Sequence, residues 1–197
     1  QPREVALLHD ELVAIRTTVP DRATKADPLD GLLLLVDTSA GRILDFEQEL
    51  SRLASLIRAL PQDARVTVAG FDQEVSPVFS GSAENFDAEH VAALRNRLAL
   101  GASDFGKALS FARDVAPAVT AKRILFLSDG VATSGTTNAQ ELAKQAGELS
   151  RVGIERIDAL AIGGIRDSAL LSALVSSGVR KGIVEELAED EQVLQHK

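Results

Sequence analysis

Three short segments carry oxygen donors in patterns that could do chemistry. Asp37-Thr38-Ser39-Ala40-Gly41 follows an apolar run, Gly101-Ala102-Ser103-Asp104 precedes a helical pattern, and Asp129-Gly130 follows a second apolar run. Asp37 and Asp129 supply carboxylates, and Ser39 and Ser103 supply hydroxyls. Hard oxygen ligands of this kind suit Mg²⁺, Mn²⁺ or Ca²⁺ rather than Zn²⁺. The chain has no Cys, and its 3 His residues, His9, His90 and His196, are widely scattered. Disulfides, thiolate nucleophiles and a His-based zinc site are therefore poor readings. If Asp37 and Asp129 lie within a few ångströms, their like charges oppose joint ionisation unless a cation sits between them. A divalent ion meets that need; otherwise Arg42, Lys107 or Lys122 must lean in.

The same residues argue against enzymes. A phosphatase of the haloacid dehalogenase type wants D-x-D after its first strand, and Ser39 stands where the second Asp donates a proton. A nucleophile elbow wants G-x-S-x-G, but Asp37 holds the first Gly position and no His sits in a triad context. Gly163 and Gly164 stand where a receiver-type phosphoacceptor site needs Lys, and no G-x-x-x-x-G-K-[ST] phosphate loop is present. A hydrolase using the strand-end Asp37 is the residual enzymatic alternative.

The elements that must position these residues alternate from residue 31 to about 185. Gly31–Asp37 and Arg123–Asp129 are short apolar runs ending in a carboxylate, as expected of parallel strands buried on both faces. Ile43, Phe46, Leu50, Leu53, Ile57 and Leu60 form a helical stripe stopped by Pro61. Arg65–Phe71 predicts a strand with Val75–Phe79 as its short partner. Phe86, Val91, Leu94 and Leu98 predict a helix capped by Asn85 or Asp87. Phe105 to Ala116 predicts a helix ended by Pro117, and Asn138–Arg151 one closed by Gly153. Arg156–Gly163 is a strand, Ser168–Ser176 a short helix, and Val179–Leu187 a last strand. This order predicts an α/β fold: a Rossmann-like open, mostly parallel sheet with one short antiparallel edge strand and helices on both faces.

Residues 1–30 read as the end of a preceding module plus a linker, and 31–197 as one domain. Glu4–Leu8 and Leu12–Arg16 are strand-like, although Val5–Ile15 also accommodates a helix. The absence of any Met reads as a segment of a longer chain. The 197 residues are 45% hydrophobic and 25% charged, a globular balance. Asp and Glu number 29 against 21 Lys and Arg, a net charge of -8 that disfavours nucleic acid and anionic lipid. Leu32–Val36 is far shorter than the roughly 20 residues of a membrane span. Compartment and oligomeric state are not legible.

The three segments together resemble a von Willebrand factor A domain. Asp37-Thr38-Ser39-Ala40-Gly41 is similar to the family's D-x-S-x-S signature, and Gly101-Ala102-Ser103-Asp104-Phe105 resembles its G-G-T-D-L segment, with Ser103 for the Thr ligand. Ile124–Gly130 resembles the strand and Asp-Gly that complete the metal-ion-dependent adhesion site. The resemblance implies one divalent cation, Mg²⁺ foremost with Mn²⁺ or Ca²⁺ as alternatives, at Asp37, Ser39, Ser103 and Asp129. It also implies a protein partner whose acidic side chain completes the coordination, and no catalysis. The segment also resembles bacterial proteins with an inter-alpha-trypsin-type (VIT) domain upstream, which implies that the 4–16 region ends such a module. Gly41 departs from the pattern, because it offers no oxygen where the family has its second Ser. Losing one ligand weakens binding, and 1.4 kcal/mol is about tenfold. A degenerate, ion-free domain with a structural or interaction role is the alternative that Gly41 favours.

Each candidate also has an ordinary role. Asp37 can form a turn, Ser39 and Ser103 can bond loop backbone, and Asp129-Gly130 can be a plain turn. Asp104 is read as a helix cap, Gly163-Gly164 as a tight turn, and the Ile43–Leu60 stripe as core. Glu185–Glu191 is read as a solvated face. The loops 72–85, 101–106 and 131–138 are expected to surround the site and set specificity.

Overall fold

Residues 5–9, 12–16, 31–97 and 100–186 are described by the structure, a computed structural model. Strands β1 (Val5–His9) and β2 (Leu12–Arg16) pair antiparallel, with Val5 opposite Arg16 and His9 opposite Leu12. The strand reading of this segment holds over the helical one.

The remaining strands form one sheet whose central members are apolar at consecutive positions, which suits burial on both faces. They are β3 (Leu32–Asp37), β4 (Arg65–Phe71), β5 (Val75–Ser82), β6 (Arg123–Ser128), β7 (Arg156–Ala161) and β8 (Val184–Glu186). Their order is β5-β4-β3-β6-β7-β8, with only the β4–β5 pair antiparallel. The pleat of β3 divides the core. Leu33 and Leu35 join one buried cluster with residues of α3 (Phe105–Val119), α4 (Ala139–Glu148) and α5 (Ser168–Ser176). Leu32, Leu34 and Val36 face the opposite cluster, with residues of α1 (Phe46–Ala59) and α2 (Ala88–Arg95). Each fully buried Leu of this strand contributes about 1.5–3 kcal/mol relative to exposure.

Most expected elements are found, and their differences have local causes. Pro117 lies inside α3 rather than ending it. The missing N–H frees one carbonyl in the last turn, where Arg113 and Pro117 are exposed and water can replace the bond. The helix ends instead at Thr120, whose left-handed φ of 53° halts it. Ile43 precedes α1 and is exposed, so the apolar stripe begins at Phe46. The edge strand β5 runs on to Ser82, and the last strand is only Val184–Glu186. Asp87, not Asn85, caps α2, accepting from the N–H groups of Glu89 and His90. Leu98, the 187–191 part of the acidic run and the expected linker lie outside the described residues.

Candidate functional site

The chain leaves β3 through α1 to β4 on one side, then returns through α3 to β6 on the other. The carboxyl ends of β3 and β6 therefore flank the point where strand order reverses, the usual ligand position in such a sheet. Asp37 is the last residue of β3, and Asp129 follows β6 directly. Backbone pairing joins the first two motif segments: Ser39 bridges to Gly101, and the Ala40 N–H donates to the Gly101 carbonyl at 2.8 Å. Ser103 is fixed from a third side, its N–H donating to Thr133 Oγ1 at 2.8 Å. Edge-on contacts of Phe71 with Phe105 and Phe126, at ring separations of 5.3 and 6.1 Å, lie beneath these strand ends.

The four expected residues converge. Asp37 Oδ2 accepts hydroxyl protons from Ser103 at 3.1 Å and Ser128 at 2.6 Å, while Oδ1 accepts the Ser39 N–H at 2.9 Å. A Cβ built on Gly41 would lie 3.4 Å from Asp129 Oδ2 and 3.9 Å from Ser39 Oγ, so these two groups share one corner of the cup. Asp37, Ser39, Ser103 and Asp129 are all buried. Burial raises the Asp37 carboxyl above its ordinary value, and the nearby Asp129 charge adds to the rise; hydrogen bonds from Ser128 and Ser39 offset part of it.

A side chain occupies the position where a counter-cation was needed. Arg42 is 1% exposed. Its Nη1 donates to Asp129 Oδ2 at 2.8 Å and to the Ile162 carbonyl at 3.2 Å; its Nε donates to Glu49 Oε1 at 2.8 Å, and Nη2 lies 2.5 Å from the same oxygen. Burial opposes the guanidinium charge, but Glu49 and then Asp129 and Asp37 outweigh that cost and raise its pKa. Lys107 and Lys122 do not serve here: Lys107 bonds Gln73 and Glu74, and Lys122 pairs with Glu155. Glu49 is itself buried, which pushes its carboxyl up to about 7 against the pull of Arg42, and its Oε2 has no hydrogen-bond partner. Three carboxylates, Asp37, Glu49 and Asp129, thus face one guanidinium.

A family model described as the von Willebrand factor type A domain matches residues 32–131, half of the chain. The chain belongs to the von Willebrand factor type A family. Solved structures agree on the fold. BatB from Bacteroides thetaiotaomicron is 14% identical with a TM-score of 0.58, covering 80% of this chain and 89% of its own. Proximal thread matrix protein 1 from the mussel byssus, with zinc in its MIDAS motif, is 15% identical with a TM-score of 0.60, covering 79% and 43%. Manganese-loaded TRAP from Plasmodium vivax is 18% identical with a TM-score of 0.60, covering 79% and 68%. No curated protein sequence matches the chain.

In this von Willebrand factor type A domain the cup opens into a cleft of about 1020 Å³. Leu44, Leu100 and Ile165 line it and are 92%, 69% and 85% exposed. Each expected loop reaches the cleft, through Gln73, Gly101 and Val131; 75–82 is the edge strand, and the 163–165 turn joins the lining. Gly163 has φ +87°, and a Cβ there would fall 2.5 Å from the Arg42 guanidinium; the close approach requires glycine. Asp104 caps α3 as expected, accepting the Lys107 N–H at 3.0 Å. Asp129-Gly130 does make a turn, with the Val131 N–H on Asp129 Oδ1 at 2.8 Å, and still presents Oδ2 to the cup. Sequence reasoning missed Ser128, Thr133 and Glu49. Glu49 carried a signal: it lies three residues after Phe46 and one before Leu50, on the buried side of the stripe.

The donor set suits a divalent cation in kind, with two carboxylates and two hydroxyls around one point. Among the described residues, no three His, Cys, Asp or Glu side chains gather as a metal cluster.

Proposed function

We propose that this domain is a non-enzymatic protein-binding module that holds a divalent cation at the strand-end cup and engages an acidic side chain of a partner protein. Ser39 and Ser103 would hold the ion, with Asp37 and Asp129 acting directly or through water, and Mg²⁺ is the preferred occupant. Bound there, the ion supplies a Lewis-acid bridge to a partner carboxylate. The observation that carries this reading is the convergence of Asp37, Ser39, Ser103 and Asp129 at the sheet's switch point. Charge supports it as well. Asp37 and Asp129 stand together beside a single guanidinium that Arg42 already shares with Glu49, and a divalent ion supplies the positive charge that lets both ionise. The aliphatic rim of Leu44, Leu100 and Ile165 favours a partner whose acidic residue is flanked by apolar ones. The metal-loaded relatives point the same way.

Residues 1–30 are proposed to be the end of an upstream VIT-type module and its linker, with 31–197 as the A domain. An ion-free structural or interaction role is the second reading, and the Arg42–Asp129 bond favours it. The test is a Mn²⁺ titration followed by electron paramagnetic resonance, on wild type and Ser103→Ala. Depletion of the free-ion signal by wild type, weakened in the variant, supports the reading. An undiminished free-ion signal with wild type at millimolar Mn²⁺ overturns it in favour of the ion-free role.

A further inference from the structure

We propose that Arg42 is a tethered cation that competes with a divalent ion for Asp129 and holds the cup together when no ion is bound. This deepens the metal-site reading and rests on it. The D-x-S-x-S-like turn ends at Gly41, and the residue immediately after it enters the cup from the side. Its guanidinium ties together segments that a bound ion would otherwise join: the β3–α1 turn that carries it, Asp129 after β6, and the Ile162 carbonyl after β7. Glu49 on α1 anchors the other edge of the guanidinium, so the charge is aimed by a planar fork rather than left to swing. Gly163 completes the seat, since any larger residue would collide with it.

The missing hydroxyl at Gly41 and the guanidinium of Arg42 meet at the same oxygen. A Cβ at Gly41 would point at Asp129 Oδ2 and Ser39 Oγ, the corner that a serine ligand would fill. Instead Asp129 Oδ2 receives the Arg42 Nη1 proton, and Oδ1 already accepts the Val131 N–H. An incoming ion must share Asp129 Oδ2 with a fixed positive charge, and like charges at that range repel.

The test removes the charge pair as a unit, because Arg42→Gln alone leaves Glu49 buried without its partner and threatens folding. The full chain is prepared as wild type, Arg42→Gln/Glu49→Gln and Arg42→Lys. Each is titrated with Mn²⁺ at one fixed pH and melted in EDTA and in excess Mg²⁺. The double variant is expected to bind Mn²⁺ at least tenfold tighter than wild type. Its melting temperature should be lower in EDTA than that of wild type and should gain more from Mg²⁺ than wild type gains. Arg42→Lys keeps a cation and should keep the wild-type affinity within a few-fold. A double variant that binds no tighter than wild type, or melts alike with and without ion, overturns the proposal. The two ideas fail separately. Binding by wild type with no gain in the double variant removes the competition and leaves the metal site. Binding by the double variant alone leaves the competition and removes the native ion. Silence from both removes both.

Discussion

Glu49 is the group whose removal most directly tests the electrostatics of the cup. It is 1% exposed, its Oε1 accepts from Arg42 at 2.8 Å, and its Oε2 has no partner. Burial, the larger effect, lifts its pKa from 4.5 to about 7, against the opposing pull of Arg42. The folded protein therefore holds this proton across a range where the unfolded chain has released it. Stability from this group is fully present below pH 4.5 and is lost as pH rises through 7. At about 1.4 kcal/mol for each tenfold difference in proton affinity, the loss amounts to about 3 kcal/mol. Glu49→Gln keeps the shape and cannot titrate, so its stability relative to wild type should climb by that amount between pH 4.5 and 8. The comparison uses the change across pH, so any constant offset from the amide cancels. Urea unfolding at half-unit pH steps provides the assay. With a slope of about 2 kcal/mol/M, the midpoints of the two proteins should move relative to each other by about 1.5 M. A difference between the two proteins that stays flat from pH 4.5 to 8 would show that Arg42 keeps Glu49 ionised throughout, and would refute the reasoning.

Other perturbations follow from the same geometry. Gly41→Ser should restore a hydroxyl in open contact range of Asp129 and Ser39 and lower the Mn²⁺ dissociation constant about tenfold, read by calorimetric titration; an unchanged constant counts against a cation at this corner. Gly163→Ala should cost about 1–3 kcal/mol, because it forces a left-handed φ on alanine. It should also exceed the cost of Gly153→Ala, where φ is +98° but nothing lies within 4 Å, since only the former displaces Arg42. Thermal melts should show about 2–4 °C for each kcal/mol, and equal losses at the two glycines would mean that the Arg42 seat is not tight.

The common rim of Asp37, Ser39, Ser103 and Asp129 was legible because parallel strands must end together on one side of the sheet. Leu32–Val36 and Ile124–Leu127 are apolar without interruption, and a carboxylate one or two residues after such a run sits at that rim. Local chemistry also made Asp87, Asp104 and Gly153 readable as caps, since capping depends on a few neighbouring residues. Pro117 misled for the opposite reason. Its effect on a helix depends on whether the freed carbonyl meets water, and that is set by how the helix lies on the sheet.

The residues of the chain alone therefore determine a sheet of buried strands, helices on both its faces, and oxygen donors at the ends of β3 and β6. Which cation those donors receive is a question of distance between groups far apart in sequence, such as Arg42 and Asp129, 87 residues away. Sequence named Arg42, Lys107 and Lys122 as equal candidates. Only the folded chain, which buries Arg42 between Glu49 and Asp129 and leaves Lys107 and Lys122 half exposed, chooses among them. Charge becomes decisive only where water is excluded, and tertiary packing creates that exclusion.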